Sequence, residues 1–173
     1  MSLDSLDNLF LEELKDIYHA EKQLTRALPR MAKAAESPDL QQAFTTHLKE
    51  TEGQIQRLEK IFKALGQPAR GKRCKGMEGL VEEGKEKMEE DGEPPVLDAA
   101  LIASAQKIEH YEIAAYGCLR TYSELLGMDE VGQLLQQTLE EEEATDKKLT
   151  QLGESGINEA AVAAGAGMEE EEE

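Results

Sequence analysis

The stretch Leu101–Leu119, LIASAQKIEHYEIAAYGCL, decides how the rest of the chain is read. Leu101, Ala105, Ile108, Tyr116 and Leu119 recur at the spacing of one helical face, so the segment reads as an amphipathic helix. The position that completes this face between Ile108 and Tyr116 is Glu112, with Glu109 one turn earlier. Charged side chains belong opposite the apolar stripe. A carboxylate at its centre therefore asks for a structural or chemical reason.

Three more long helical segments flank this one. The first runs from about Ser5 to Glu36, with Leu14, Ile17, Tyr18, Leu24 and Leu28 on one face. Ser37–Pro38 then gives an N-cap followed by proline at the first helical position. The second carries Phe44, Leu48, Thr51, Ile55, Leu58, Phe62 and Leu65, and stops at Gly66 with Pro68 beyond. The third is the opening stretch, bounded by Pro94–Pro95 and Gly127. In the fourth, Asp129 is a candidate cap for a stripe of Val131, Leu135, Thr138, Leu149 and Leu152. Residues 66–95 form the long connection, with a short helix expected over Met77–Glu90. Short links make two antiparallel hairpins, and one long crossover joins them. That is the connectivity of a ferritin-like four-helix bundle. The bundle is expected over residues 1–153, followed by a mobile Ala/Gly/Glu tail over residues 154–173 whose closing run, Glu169–Glu173, serves solubility.

Composition agrees with an all-α fold. Trp is absent, there are 3 Phe and 4 Tyr, and Leu, Ala, Glu, Lys and Gln dominate. With 37 acidic against 19 basic residues the net charge is −18, which opposes binding to a phosphate backbone. The one basic run, Arg70–Lys75, lies in a Gly/Pro-rich connector and reads as a solvated loop. The N-terminal residues lack basic side chains, and no apolar run approaches ~20 residues. A cytoplasmic protein with no membrane partner is expected. Cys74 and Cys118 have no metal-type spacing, and a single disulfide between them stays open.

At ~100° per residue, other helices also carry polar side chains in phase with their stripes. Glu21 falls within roughly 20° of the stripe centre on the first helix, as does Glu142 on the fourth, flanked by Thr145 and Asp146. On the second helix Thr51 takes the centre. His47 lies at the stripe's edge, Glu50 roughly 100° off centre, and Gln54 nearby. His19 and His110 face solvent by the same geometry. A lone misplaced glutamate is met by an Arg or Lys partner or by protonation. Four on three helices at similar depth favour divalent cations, because each bare buried carboxylate costs several kcal/mol. Oxygen donors on facing helices suit a dinuclear iron or manganese centre. Tyr18 and Tyr116, close to the stripe, are packing residues or electron relays.

Several motifs carry a family resemblance over residues 3 to about 153. They are Ala20–Leu28 (AEKQLTRAL), His47–Thr51 (HLKET), Cys74–Leu80 (CKGMEGL), Lys107–Ala114 (KIEHYEIA) and Leu139–Asp146 (LEEEEATD). The chain resembles the YciE/YciF family. The resemblance implies a ferritin-like fold related to rubrerythrins, a di-metal centre, homodimerisation and a link to bacterial stress responses. Carried over by position, it implies Glu21, Glu50, Glu109, Glu112 and Glu142 as metal ligands, with His47 and Asp146 as second choices. Oxygen or peroxide would be the small-molecule partner. One departure is visible: no Glu stands three residues before any histidine, so the usual Glu-x-x-His pair of di-iron bundles is absent. The alternative reading is a non-catalytic, dimeric stress bundle with no working metal centre.

Overall fold

Four long helices of 24 to 32 residues, each roughly 36–48 Å in length, form the body of the protein. The structure is a computed structural model; it describes residues 3–171, with side chains described to residue 166. In chain order the helices are α1 (Leu6–Ala34), α2 (Pro38–Ala64), α3 (Lys75–Glu89), α4 (Pro94–Leu125), α5 (Asp129–Leu152) and α6 (Asn158–Glu171). A single π-helical turn, Gly153–Ile157, joins the last two. No strand occurs among the described residues. The fold is the expected all-α, ferritin-like bundle: hairpins α1–α2 and α4–α5, with the long connection and its short helix α3 between them.

Local chemistry accounts for the boundaries. Ser5 Oγ accepts from the Asn8 amide, and Ser37 Oγ from the Leu40 amide, each offsetting an orphan donor of a first turn. Gly66 and Gly127 adopt positive φ (64° and 70°) just past α2 and α4, where a side chain would be strained. Asp129 does not cap α5 as expected. Met128 occupies the cap position without a side-chain bond, and Asp129 is the first helical residue, where its charge faces the helix dipole.

The long helices pack in the cyclic order α1, α2, α5, α4. α3 lies over the seam between α1 and α4, and the connector before it docks on α1 through Lys72 N–H to the Lys15 carbonyl at 3.1 Å. Leu14, Leu24, Leu28, Phe44, Phe62, Tyr116, Leu119 and Leu135 fill the interior. One long-range cap escaped the sequence. Asp98 on α4, only 3% exposed, accepts from the Glu36 and Ser37 amides at 2.9 and 2.8 Å and so ties down the α1–α2 turn.

Two expectations change. The segment after Gly153 is helical, and α6 lies against α4. Ile157 packs against the core there, which gives the turn an anchor that an Ala/Gly-rich composition does not advertise. The side chains of Glu169–Glu173 lie outside the described residues. His19 does not face open solvent: the connector covers it, with the Cys74 amide donating to its Nδ1 at 3.1 Å. No helix is long and apolar enough to cross a membrane.

Candidate metal centre

Five ionisable side chains converge midway along the bundle: Glu21 from α1, His47 from α2, Glu109 and Glu112 from α4, and Glu142 from α5. The four carboxylates are 0% exposed and His47 is 2% exposed. Helical phase places them there. In α4, Glu109 and Glu112 continue the Leu101–Ile108–Tyr116 face, and in α5 Glu142 continues the Leu135–Thr138–Leu149 face.

One ligand atom from each of His47, Glu109, Glu112 and Glu142 lies within 4.8 Å of the other three. That span is close to the ~4.4 Å separating opposite donors in a shell of ~2.2 Å radius. His47 Nδ1 is 3.2 Å from Glu109 Oε1 without hydrogen-bonding direction, and Nε2 is 3.7 Å from Glu142 Oε2, too far for a hydrogen bond. Both oxygens of Glu109, Glu112 and Glu142, the Glu21 Oε2 and both His47 nitrogens are buried without a hydrogen-bond partner. Buried polar atoms are nearly always satisfied. So dense a group of orphaned donors for a metal fits a hard cation, and this His/Glu group can hold one.

The carboxylates also crowd one another electrostatically. Burial first, and the Glu142 charge second, push the carboxyl groups of Glu21, Glu109 and Glu112 well above the usual carboxylate range. Tyr116 is fully buried and donates its hydroxyl to Glu21 Oε1. Its phenol is likewise pushed well up, by burial and then by Glu21. Of the two tyrosines near the stripe, Tyr116 alone touches the cluster. Tyr18 donates to Glu59 at 2.9 Å and packs edge-on against Phe62.

Of the ligands implied by the resemblance, Glu21, Glu109, Glu112 and Glu142 are brought together, and His47 joins them as the contribution of α2. Glu50 is not in the four-residue group; it is half-buried, and its Oε2 accepts from Thr145 Oγ1 at 3.3 Å. The reason is the phase of α2. Leu48 is only partly buried, whereas Leu40 and Ile61, outside the apparent stripe, are buried, so the true stripe is turned towards His47 and Gln54, which are 2% and 0% exposed. Asp146 also stays outside. It accepts from Gln106 Nε2 at 3.1 Å and faces the exposed His110 at 3.3 Å. Two further residues were not singled out from the sequence: Arg57 binds Glu141 through two nitrogens at 2.7 and 2.5 Å and also donates to Thr138. The clasp lies next to the cluster on the α2/α5 seam; a cation on the polar flank of α2 was its only signal.

The rest of the chain's ionic features are ordinary. In the basic connector Lys72 pairs with Glu12 and Arg73 with Glu78. Both cysteines are free, Cys74 buried as the N-cap of α3 and Cys118 exposed.

Residues 5–162 match the family described as a domain of unknown function, DUF892. This chain belongs to the DUF892 family. Protein YciF of Escherichia coli K12 is 47% identical over 162 residues, covering 93% of this chain and 98% of that protein. A crystal structure of the E. coli stress protein YciF matches with a TM-score of 0.87 over 90% of this chain and 99% of that one. YcfI from Rhodopseudomonas palustris, provisionally described as a structural protein, matches with a TM-score of 0.83 at 45% identity, over 87% of this chain and 97% of that one. A protein from Xanthomonas campestris pv. campestris shares the fold at 20% identity, with a TM-score of 0.70 over 96% of this chain and 99% of its own. The DUF892 chain thus has the fold its resemblance implies and is YciF-like over nearly its whole length.

Proposed function

We propose that this chain is a carboxylate–histidine metal protein that holds two iron or manganese ions and handles an oxygen-derived oxidant, or the metal itself, under bacterial stress. The single observation behind this reading is the buried group of Glu109, Glu112, Glu142 and His47, whose donor atoms have no other partner. Charge supports the number two: with Glu21 the four carboxylates carry −4 when ionised, which two divalent ions neutralise. His47, Glu109, Glu112 and Glu142 form the fuller position. The second would draw on Glu21, Glu112 and Glu142, with one Glu21 oxygen already taken by the Tyr116 hydroxyl, so the two ions should differ in affinity. When bound, such ions supply a Lewis acid, a coordination position open to oxygen or peroxide, and a change of valence. The chain's own share is to hold the donors in a water-poor core, to keep Tyr116 beside Glu21, and to close the α2/α5 seam with Arg57–Glu141. The stress role rests on the likeness to YciF, and the cytoplasm and a homodimer belong to the same proposal.

Metal analysis after anaerobic loading with Fe(II) or with Mn(II) tests this. Two ions per chain in unequal steps are expected, with both steps weakened in Glu112→Ala. Saturating metal at ~100 times Kd should stabilise by about 2.7 kcal/mol for each site filled, a rise in Tm of roughly 5–10 °C per site. Substoichiometric metal that Glu112→Ala leaves unchanged would sink the proposal. A second reading, a non-catalytic bundle, is favoured by the raised carboxyl pKa values, since protonated carboxyls need no cation. It requires a Tm indifferent to iron, manganese and chelator.

A further inference from the structure

The seams of the bundle are not sealed alike. α3 covers the α1/α4 seam, and Arg57–Glu141 clasps the α2/α5 seam on one side of the cluster. On the other side the same seam opens as a groove of about 240 Å³. Phe44 and Leu149 are buried along its walls, and the small side chains of Ala43 and Ala144 keep it wide. His47 forms its floor, so this one side chain belongs both to the groove and to the metal-binding group. It is 2% exposed, and neither ring nitrogen has a hydrogen-bond partner. Glu50, next to His47 on α2, is held across the seam by Thr145 at 3.3 Å. That is long for a hydroxyl–carboxylate bond, whose common length is ~2.7 Å, and such a bond is easily released.

We propose that this groove is the route by which a divalent cation reaches the centre, and that Glu50 is a relay carboxylate on the route and not a ligand of the seated ion. The inference rests on the metal reading above. Size permits it: at roughly 30 Å³ per water, a six-water shell occupies about 180 Å³. Charge favours it as well. Asp39 and Glu50 line the groove against a single cation there, Lys148, and the whole chain carries −18. An acidic cleft with low-dielectric walls concentrates cations at its mouth. Glu50 offers the first carboxylate to replace shell water before the ion meets His47.

A relay and a ligand leave different kinetic signatures. A group that touches the ion only in passage lowers one barrier, so its removal slows association and dissociation by the same factor and leaves Kd unchanged. Removal of a ligand speeds dissociation and raises Kd. The probe is Co(II), followed by stopped-flow absorption on binding and by chelator competition on release, with the full-length chain. Glu50→Gln is expected to slow both rates about tenfold, which corresponds to about 1.4 kcal/mol added to one barrier. Ala144→Trp, which narrows the groove without touching a ligand, should slow both as well. Wild-type rates in both variants, or a raised Kd in Glu50→Gln, would overturn the relay while leaving the metal centre standing. If the unaltered chain takes up no Co(II), the metal reading fails and the relay with it.

Discussion

Glu112 is fully buried and lies within the field of Glu142, Glu21 and Glu109. Without metal it is more stable protonated, and each unit of upward pKa shift costs about 1.4 kcal/mol once the pH forces ionisation. Glu112→Gln is therefore expected to raise the Tm of the metal-free protein by a few degrees at pH 7.5 and to weaken metal binding at least tenfold. Calorimetry and metal titration check the two halves. The sign with pH follows from Glu21, Glu109 and Glu112, all raised. In the unfolded chain these carboxyls ionise near about 4.3. Above that pH the unfolded state binds fewer protons than the native state, so stability falls as pH rises towards the native pKa values; below it the full contribution is present. In chelator, Tm should drop between pH 5 and 8, and the drop should shrink in the Glu-to-Gln variants. With saturating metal the trend is opposed, because the ion competes with the same protons.

At the scale of elements, the turn between α1 and α2 depends on a residue far away in sequence. The Asp98 carboxylate satisfies two backbone donors at a partly buried helix junction. Asp98→Ala orphans both, a cost of about 2 kcal/mol, and should lower Tm by about 5 °C with little change in metal stoichiometry. Asp98→Asn, which keeps one acceptor oxygen, should fall between. Thermal melts of the two variants with and without metal distinguish this structural role from one at the centre. α3 shields the α1/α4 seam, and the groove lies on the α2/α5 seam instead.

For the whole molecule, the added helix α6 extends the chain beyond the four-helix body and α3. Among its described side chains α6 buries none fully; Ala161 and Ala164 are half-buried. At ~0.8 kcal/mol per buried methylene-sized group, deleting residues 158–173 should cost no more than about 1 kcal/mol, less than about 4 °C in Tm. Metal content should be unchanged, since every ligand precedes Gly153. A larger loss of stability, measured by denaturant melts of the truncated chain, would mean that α6 is an integral layer of the fold.

Sequence alone settled what is local. Ser5, Ser37–Pro38, Gly66 and Gly127 act on their own backbone, so helix limits and link lengths were legible, and with them the two hairpins and the crossover. Glu21, Glu109, Glu112 and Glu142 were legible too, because each sits at the centre of a strong stripe on its own helix. Tertiary packing decided the rest. The rotation of α2 about its axis is fixed by how it meets α1 and α5, and that rotation turned His47 inward and left Glu50 on the groove. Asp146 was likewise drawn outward by Gln106 and His110 on a neighbouring helix. Asp98 found its donors only once α4 lay beside the α1–α2 turn, and Ile157 found the core only when the chain folded back along α4. Periodicity reports the faces of one helix; which face meets which neighbour is a property of the assembled bundle.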